Sequence, residues 1–583
     1  MILVRLRRGN ERRWPPAVRK KMQTTPTARI ETLNELGWWE NRTLDDLFRD
    51  VVKANPDRVA LVDQFNRSEF TDGAAQRITF AQLSIMADNL AAEFFAHGLR
   101  QDDIVVVQLP NIAELAVLYL ALGKLGVILS PVPVQYGPFE LEKAKQLVEP
   151  AAYITVSNLK GKNLASEHGT VFQGDCKVFC FGDDTPDDSI SLTISAAERK
   201  GGTDYDTYVE KLEVLPDDIF TICWTSGTTG QPKGVPRSHN MWMASAIGAH
   251  DAAVMQDHET LLNPFPIVNM AAIGGFLYCW LMRACTLVLH HPFDMQVYLK
   301  QIADEKVNYT IAPPAVLTML LKKPEILDAV DISSLRMIGS GSAPLSEFMV
   351  AGFGRDYGIE IINVFGSNEG ICLTAGPSEV SNYGERAHFF PRYGVDGLSW
   401  ANRASGTIRT RLVSLETGEE VTEIGQQGEL EIWGSTVFDG YYKSPKANAE
   451  VFSDDGYFRT GDVFELTGSD DIPKYYKFVG RCKDIIVRGG VNISPDEIDN
   501  ELAAHPKIAD VCVVGIDDEI MGERIGAAVV LKPGETMELE EMTDFLRARG
   551  MAVFKLPEKL ACIDSLPYNA TGKIQRRDVK QYF

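Results

Sequence analysis

The sequence predicts an α/β protein whose large N-terminal unit is followed by a smaller α+β unit. Three observations carry that reading. Strand-like runs rich in Val, Ile and Leu alternate with helical runs from about Thr43 to Tyr357, short β-like segments with Gly/Asp turns fill 406–476, and the composition breaks after Gly480. Apolar strands between helices form parallel sheets covered on both faces. At 583 residues the chain is also too long for one hydrophobic core.

The elements follow in order. Residues 83–97 read as an amphipathic helix, 104–109 as a buried strand, 111–125 as a second helix and 127–129 as a strand. Cys176 and Cys180 sit on one strand-like stretch around Val178, and 219–224 is an apolar strand. The alternation resumes with strand 285–290, helix 295–305, strand 309–311, helix 315–321, strand 335–338 and helix 346–357. The apolar run 273–281 is too short to span a membrane, stops at Arg283, and reads as a buried helix. Beyond the break come helix 495–504, strands 511–514 and 527–531, helix 539–549 and a last strand at 560–563. The domain scheme is therefore a basic, disordered tail (1–28), a large domain (29–479), a hinge (480–484) and a small domain (485–583).

Composition narrows the function. A formal charge of −22 argues against a nucleic-acid partner held by phosphate neutralisation. The nine cysteines form no C-x-x-C pair and no Cys/His ligand cluster, which fits a reduced, cytoplasmic setting. The basic N-terminus (Arg5, Arg7, Arg8, Arg12, Arg13) lacks the apolar stretch of a secretory signal.

The most informative stretch is Thr225-Ser226-Gly227-Thr228-Thr229-Gly230-Gln231-Pro232-Lys233-Gly234. It places three glycines, four hydroxyls and a lysine directly after a strand. Glycines let backbone N–H groups approach an anion, hydroxyls add donors, and the lysine supplies a charge, a combination suited to the pyrophosphate end of a nucleotide. The spacing is not that of a Walker A loop. Further clusters follow strands or turns: Gly341-Ser342-Ala343-Pro344, Phe365-Gly366-Ser367-Asn368-Glu369-Gly370, Tyr457-Phe458-Arg459-Thr460-Gly461-Asp462, Gly480-Arg481-Cys482-Lys483-Asp484 and Asn569-Ala570-Thr571-Gly572-Lys573. Ligands of parallel sheets gather beyond the carboxyl ends of the strands, where the first two clusters lie.

In this order the clusters resemble the adenylate-forming superfamily of acyl-CoA synthetases, adenylation domains and luciferases, over nearly the whole chain after about residue 40. The resemblance implies a large domain of two helix-flanked sheets plus a β-barrel, and a small, mobile α+β lid. It implies ATP, Mg²⁺ and coenzyme A as cofactors. A carboxylic acid is first joined to AMP with release of pyrophosphate, then passed to a thiol with release of AMP. Carried over by motif, the 225–234 loop with Lys233 holds the β- and γ-phosphates, and Glu369 binds Mg²⁺. Asp462 accepts from the ribose with help from Arg481, and Gly341, Ser342, Ala343 and Pro344 line the adenine and acyl pockets, beside Phe365 and Gly366. Lys573 bridges the acid carboxylate and the α-phosphate, Lys483 is the hinge, and Arg488-Gly489-Gly490 serves the thioester step.

Two positions depart from the pattern. Asn368 stands where relatives often have Thr contacting phosphate, and its amide can still donate. Asn269, in Pro266-Ile267-Val268-Asn269, stands where many acyl-CoA synthetases have His at the mouth of the acyl site. No acidic residue lies in 264–275 to pair with an α-amino group, so the acid is fatty, alicyclic or aromatic rather than an amino acid. Gly274, Gly275 and Gly370 would make room for it. The alternatives are an aryl-acid adenylating enzyme that loads a carrier protein's pantetheine and a non-catalytic nucleotide-binding protein. A homodimer is compatible with all three.

Overall fold

The computed structural model describes residues 22, 24–172, 174, 176–197, 199, 202–225, 232–469, 472–488, 491–518, 520–568 and 574–583. Its first sheet has seven strands, ordered Ile190–Leu192, Lys177–Phe181, Ala152–Val156, Ile104–Val107, Ile128–Pro131, Ile219–Thr225 and Lys233–Ser238. All neighbours are parallel except the last pair. Val105, Val106 and Val107 are fully buried, as a strand covered on both faces requires. Helix Phe80–Ala96 starts at a capping box of Thr79 and Gln82, where each side chain accepts from the other's backbone N–H. Helix Ala113–Lys124 is buried from Ala113 to Gly123, so it is a core helix and not an amphipathic one.

The second sheet has eight strands, ordered Cys372–Ala375, Glu360–Gly366, Met337–Gly341, Tyr309–Ile311, Thr260–Asn263, Thr286–Leu289, Val59–Val62 and Arg77–Thr79. Only its two edge pairs are antiparallel. Some boundaries differ from those expected. The strand assigned to 335–338 begins at Met337, because Leu335 closes a turn onto Ile332. The helix over 346–357 is α only for Glu347–Gly352 and widens to a π turn at Phe353–Tyr357. The apolar run near 273 is likewise a buried π-helix, Ile273–Tyr278, continued by Cys279–Met282.

The β-rich stretch forms an antiparallel sheet ordered Phe389–Pro391, Tyr475–Arg481, Phe458–Thr467, Gln427–Gly434 and Ile408–Val413. It curls around Phe390, Tyr393, Leu430, Phe438 and Phe464. This is the unit expected as a β-barrel. The small domain pairs Ile508–Asp518 with Gly522–Leu531, to which Lys559–Cys562 adds in parallel and Ile486–Arg488 in antiparallel. Helices Pro495–Leu502 and Leu539–Ala548 contribute Ile498, Leu502, Met542 and Leu546 to its separate core.

Of the expected tail 1–28, residues 1–21 and 23 lie outside the described residues. Thr27 and Ala28 open helix Thr27–Glu35. The Thr25 hydroxyl donates to Asp439 at 2.6 Å, and Arg29 pairs with the same carboxylate at 2.9 Å. A charged pair on a buried aspartate anchors chain that composition alone marks as tail. All nine cysteines are free thiols, and among the described residues no helix is long and apolar enough to cross a membrane.

Candidate active site

Strands Ile219–Thr225 and Lys233–Ser238 form a hairpin in which Thr225 faces Lys233. The residues that flank the glycine-rich stretch are therefore paired across a two-stranded ribbon. Ser226, Gly227, Thr228, Thr229 and Gly230 lie outside the described residues. Alternation along the second strand puts Lys233, Val235 and Arg237 on one face. The Lys233 ammonium lies 4.4 Å from the ring centre of Tyr441, a cation–π contact.

Tyr441 also donates its hydroxyl to Glu369 Oε1 at 3.0 Å. Burial and the Glu369 charge push the phenol well above its ordinary pKa, so it stays a donor. Glu369 is buried at 9% exposure, in a turn whose carbonyl accepts from Phe438 N at 2.9 Å. One phenol thus spans the phosphate lysine and the magnesium carboxylate expected from the sequence. Sequence reasoning missed it, because 72 residues separate the partners. We expect Tyr441→Phe to raise the magnesium concentration giving half-maximal activity about tenfold, the scale of one hydrogen bond to a charged group, while sparing the ATP KM. Tyr441→Leu, which also removes the ring, should raise both. A titration of initial rates against magnesium and ATP checks the split.

Asn368 uses both ends of its amide. Nδ2 donates to Trp224 O at 3.0 Å, and Oδ1 accepts from Met270 N at 2.8 Å. The phosphate contact expected for it would fall to its second N–H hydrogen. Asn269, the other departure, caps the short helix Met270–Ala272 through Oδ1 on Ala272 N. The segment before it is held firmly. Asn111 donates to Phe265 O at 2.8 Å and accepts from Ile267 N at 3.1 Å, and Tyr119 donates to Ile267 O at 2.6 Å.

The glycines divide by role. A Cβ on Gly275 would meet nothing within 4 Å although the residue is buried, whereas one on Gly274 would touch Met270, Ser245 and Trp242. Gly275 therefore borders open space inside the fold. Gly370 does not make room for an acyl group as expected. It has φ +113°, and a Cβ there would lie 2.1 Å from Thr436 O, so a close backbone crossing demands glycine. Gly341 ends its strand where a Cβ would lie 2.1 Å from Val364 O, with Ser342 beyond it at φ +71°. Ala343 and Pro344 continue that loop, and Gly366 ends the neighbouring strand. Phe365 was expected near the nucleotide, but its ring packs among Phe390, Phe464 and Phe478, joining the second sheet to the antiparallel one.

Asp462 is buried at 2% exposure, lies opposite Arg481 across two strands, and pairs with its Nε at 2.7 Å. Cys482 N donates to Gly461 O at 2.9 Å, so the chain remains bonded to the large domain immediately before Lys483. Arg488 makes a two-pronged bond to Glu558, at 2.9 and 3.1 Å. Gly489, Gly490 and Lys573 lie outside the described residues.

The functional class follows from these motifs and from kinship. The chain belongs to the AMP-binding enzyme family, whose model matches residues 48–442, and the AMP-binding enzyme C-terminal domain matches 497–573. Triostin synthetase I of Streptomyces triostinicus is 30% identical, over 93% of this chain and 95% of its own. Indoleacetate–CoA ligase of Aromatoleum aromaticum is 30% identical, over 86% and 93%. The crystal structure of ATP-bound MatB from Rhodopseudomonas palustris superposes with a TM-score of 0.73 at 25% identity, covering 93% of this chain and 99% of that one. The protein is thus an adenylate-forming, acid-activating ligase.

Proposed function

We propose that the protein condenses a fatty, alicyclic or aromatic acid with ATP and transfers the acyl group to coenzyme A. The observation that carries this reading is the convergence of Lys233, Tyr441 and Glu369, with Lys233 beside the carboxyl end of strand Ile219–Thr225 and Glu369 beyond that of Glu360–Gly366. Indoleacetate–CoA ligase, in which an aromatic acid meets coenzyme A, supports the choice of acceptor.

The chemistry joins an anion to a polyanion. A carboxylate oxygen attacks the α-phosphorus of ATP, the bond to the β-phosphate oxygen breaks, and pyrophosphate departs. The thiolate of coenzyme A then attacks the acyl carbon and AMP leaves. Neither step needs much acid–base help from protein; both need positioning and charge compensation. Lys233 and the donors of the 225–234 loop would hold the departing pyrophosphate. Glu369 offers the hard oxygen that Mg²⁺ prefers, and bound Mg²⁺ would offset phosphate charge. Asp462, steadied by Arg481, would take the ribose hydroxyls. Lys573 would bridge the two reacting anions. Lys483 would be the pivot on which the small domain turns to bring Arg488, Gly489 and Gly490 forward.

The test is AMP and pyrophosphate release with ATP, magnesium and a panel of acids, with and without coenzyme A. Acceleration of AMP release by coenzyme A supports the ligase. Indifference to it, with rapid acylation of a pantetheinylated carrier protein, would select the carrier-loading alternative. The open space beside Gly275 sets acyl size in this reading. Gly275→Leu should lower kcat/KM for the largest accepted acid by at least about tenfold while sparing the smallest, since each methylene is worth about that much in an apolar pocket.

A further inference from the structure

Arg237 is fully buried, and its hydrogen bonds among the described residues go to neutral acceptors. Burying a guanidinium without a carboxylate is costly, so its bonds have to explain it. Nη1 donates to Asn368 O at 3.0 Å, while Nη2 donates to Met241 O at 2.9 Å and Ser245 Oγ at 2.8 Å. Its plane lies over Trp242, 4.5 Å from the ring centre. Only a rigid fork reaches these acceptors together; an ammonium of similar length cannot.

The residue it grips is the one whose side chain joins Trp224, at the end of the phosphate strand, to Met270, at the start of the acyl-site helix. Asn368 immediately precedes Glu369. Ser245 and Trp242, held by the same guanidinium, are the side chains packed against Gly274. Three pieces of the site therefore meet on one buried cation and one amide, although Asn368 lies 98 and 144 residues from its two partners along the chain. A Thr at 368 would have to donate to Trp224 and accept from Met270 through one hydroxyl oxygen on a shorter side chain, whereas Asn uses two separate atoms that reach further.

We propose that Arg237 and Asn368 act as one positioning unit that holds the acyl-site helix at a fixed spacing from the Glu369 turn and the phosphate strand. Neither side chain needs to touch the reacting atoms. Both set where the acid lies relative to the metal and the α-phosphate. The inference rests on the acid-activating reading above and concerns how that site is held.

The full-length protein and its Asn368→Thr, Arg237→Lys and doubly substituted forms decide it. Each single substitution should raise both the acid KM and the half-saturating magnesium concentration about tenfold and lower the adenylation kcat to a similar degree, with the ATP KM within about twofold. The double form should be no worse than the worse single one, because the two side chains act as a unit. Amide exchange at Met270 should accelerate in Asn368→Thr without any substrate present. Acid KM and magnesium dependence unchanged in folded variants would overturn the proposal, as would effects that simply multiply or an unaltered Met270 amide. If Arg237→Lys does not fold, Asn368→Thr carries the test alone. A wild-type protein that activates no acid would overturn the functional reading instead, and Met270 exchange would then decide the positioning unit by itself.

Discussion

Lys573→Ala is expected to abolish acid-dependent pyrophosphate exchange while leaving coenzyme A transfer from a supplied acyl adenylate within about threefold of wild type. Adenylation brings a carboxylate onto a triphosphate, and a lysine between them compensates charge where the repulsion is greatest. Loss of one such contact costs about 10²- to 10³-fold or more. The thioester step begins with a neutral acyl carbon and does not meet that repulsion. The described residues on either side anchor the segment: Tyr568 bridges Ile574, Gln575 N donates to Pro567 O at 2.8 Å, and Arg576 donates to Val513 O at 2.7 Å and pairs with Asp499 at 2.7 Å. Those bonds survive the substitution, so the lid should stay folded. Half-reaction rates, measured separately, check it. Equal loss in both would refute the assignment of Lys573 to the first step.

Glu369→Gln is the second large effect. The amide keeps the shape and can still accept from Tyr441, but it lacks the negative charge a hard divalent cation requires. Adenylation should fall about 10²- to 10³-fold at saturating ATP, the scale seen when a preorganised electrostatic contact is removed. The thermal midpoint should shift by no more than about 4 °C, since burying a neutral group in place of a charge is not a large cost. Magnesium titration against rate distinguishes the outcomes. A normal rate with normal magnesium dependence would show that Glu369 is not the metal ligand.

Much of the architecture was legible because its signals are local. Strand composition and the spacing of apolar residues mark parallel sheets wherever they occur. The glycine-rich loop and the ordered motifs after it marked the family. Boundaries were less legible where local pattern and packing disagree. The runs at 273–281 and 346–357 both read as plain helices, yet each widens to a π turn. Thr25 lies in the stretch that composition marks as tail, yet its hydroxyl meets Asp439, 414 residues away.

The sequence by itself determined the class of fold and the adenylate-forming family, because both are written in neighbouring residues. Only the tertiary structure decided how those residues are held. It made Tyr441 the link between Lys233 and Glu369, bonded the Asn368 amide to Trp224 and Met270, and moved Phe365 into an aromatic core. It also reassigned Gly370 from pocket space to a backbone crossing. The physical reason is distance along the chain. A hydrogen bond spanning 72 or 144 residues is chosen by topology, and no local pattern encodes which distant carbonyl an amide will meet.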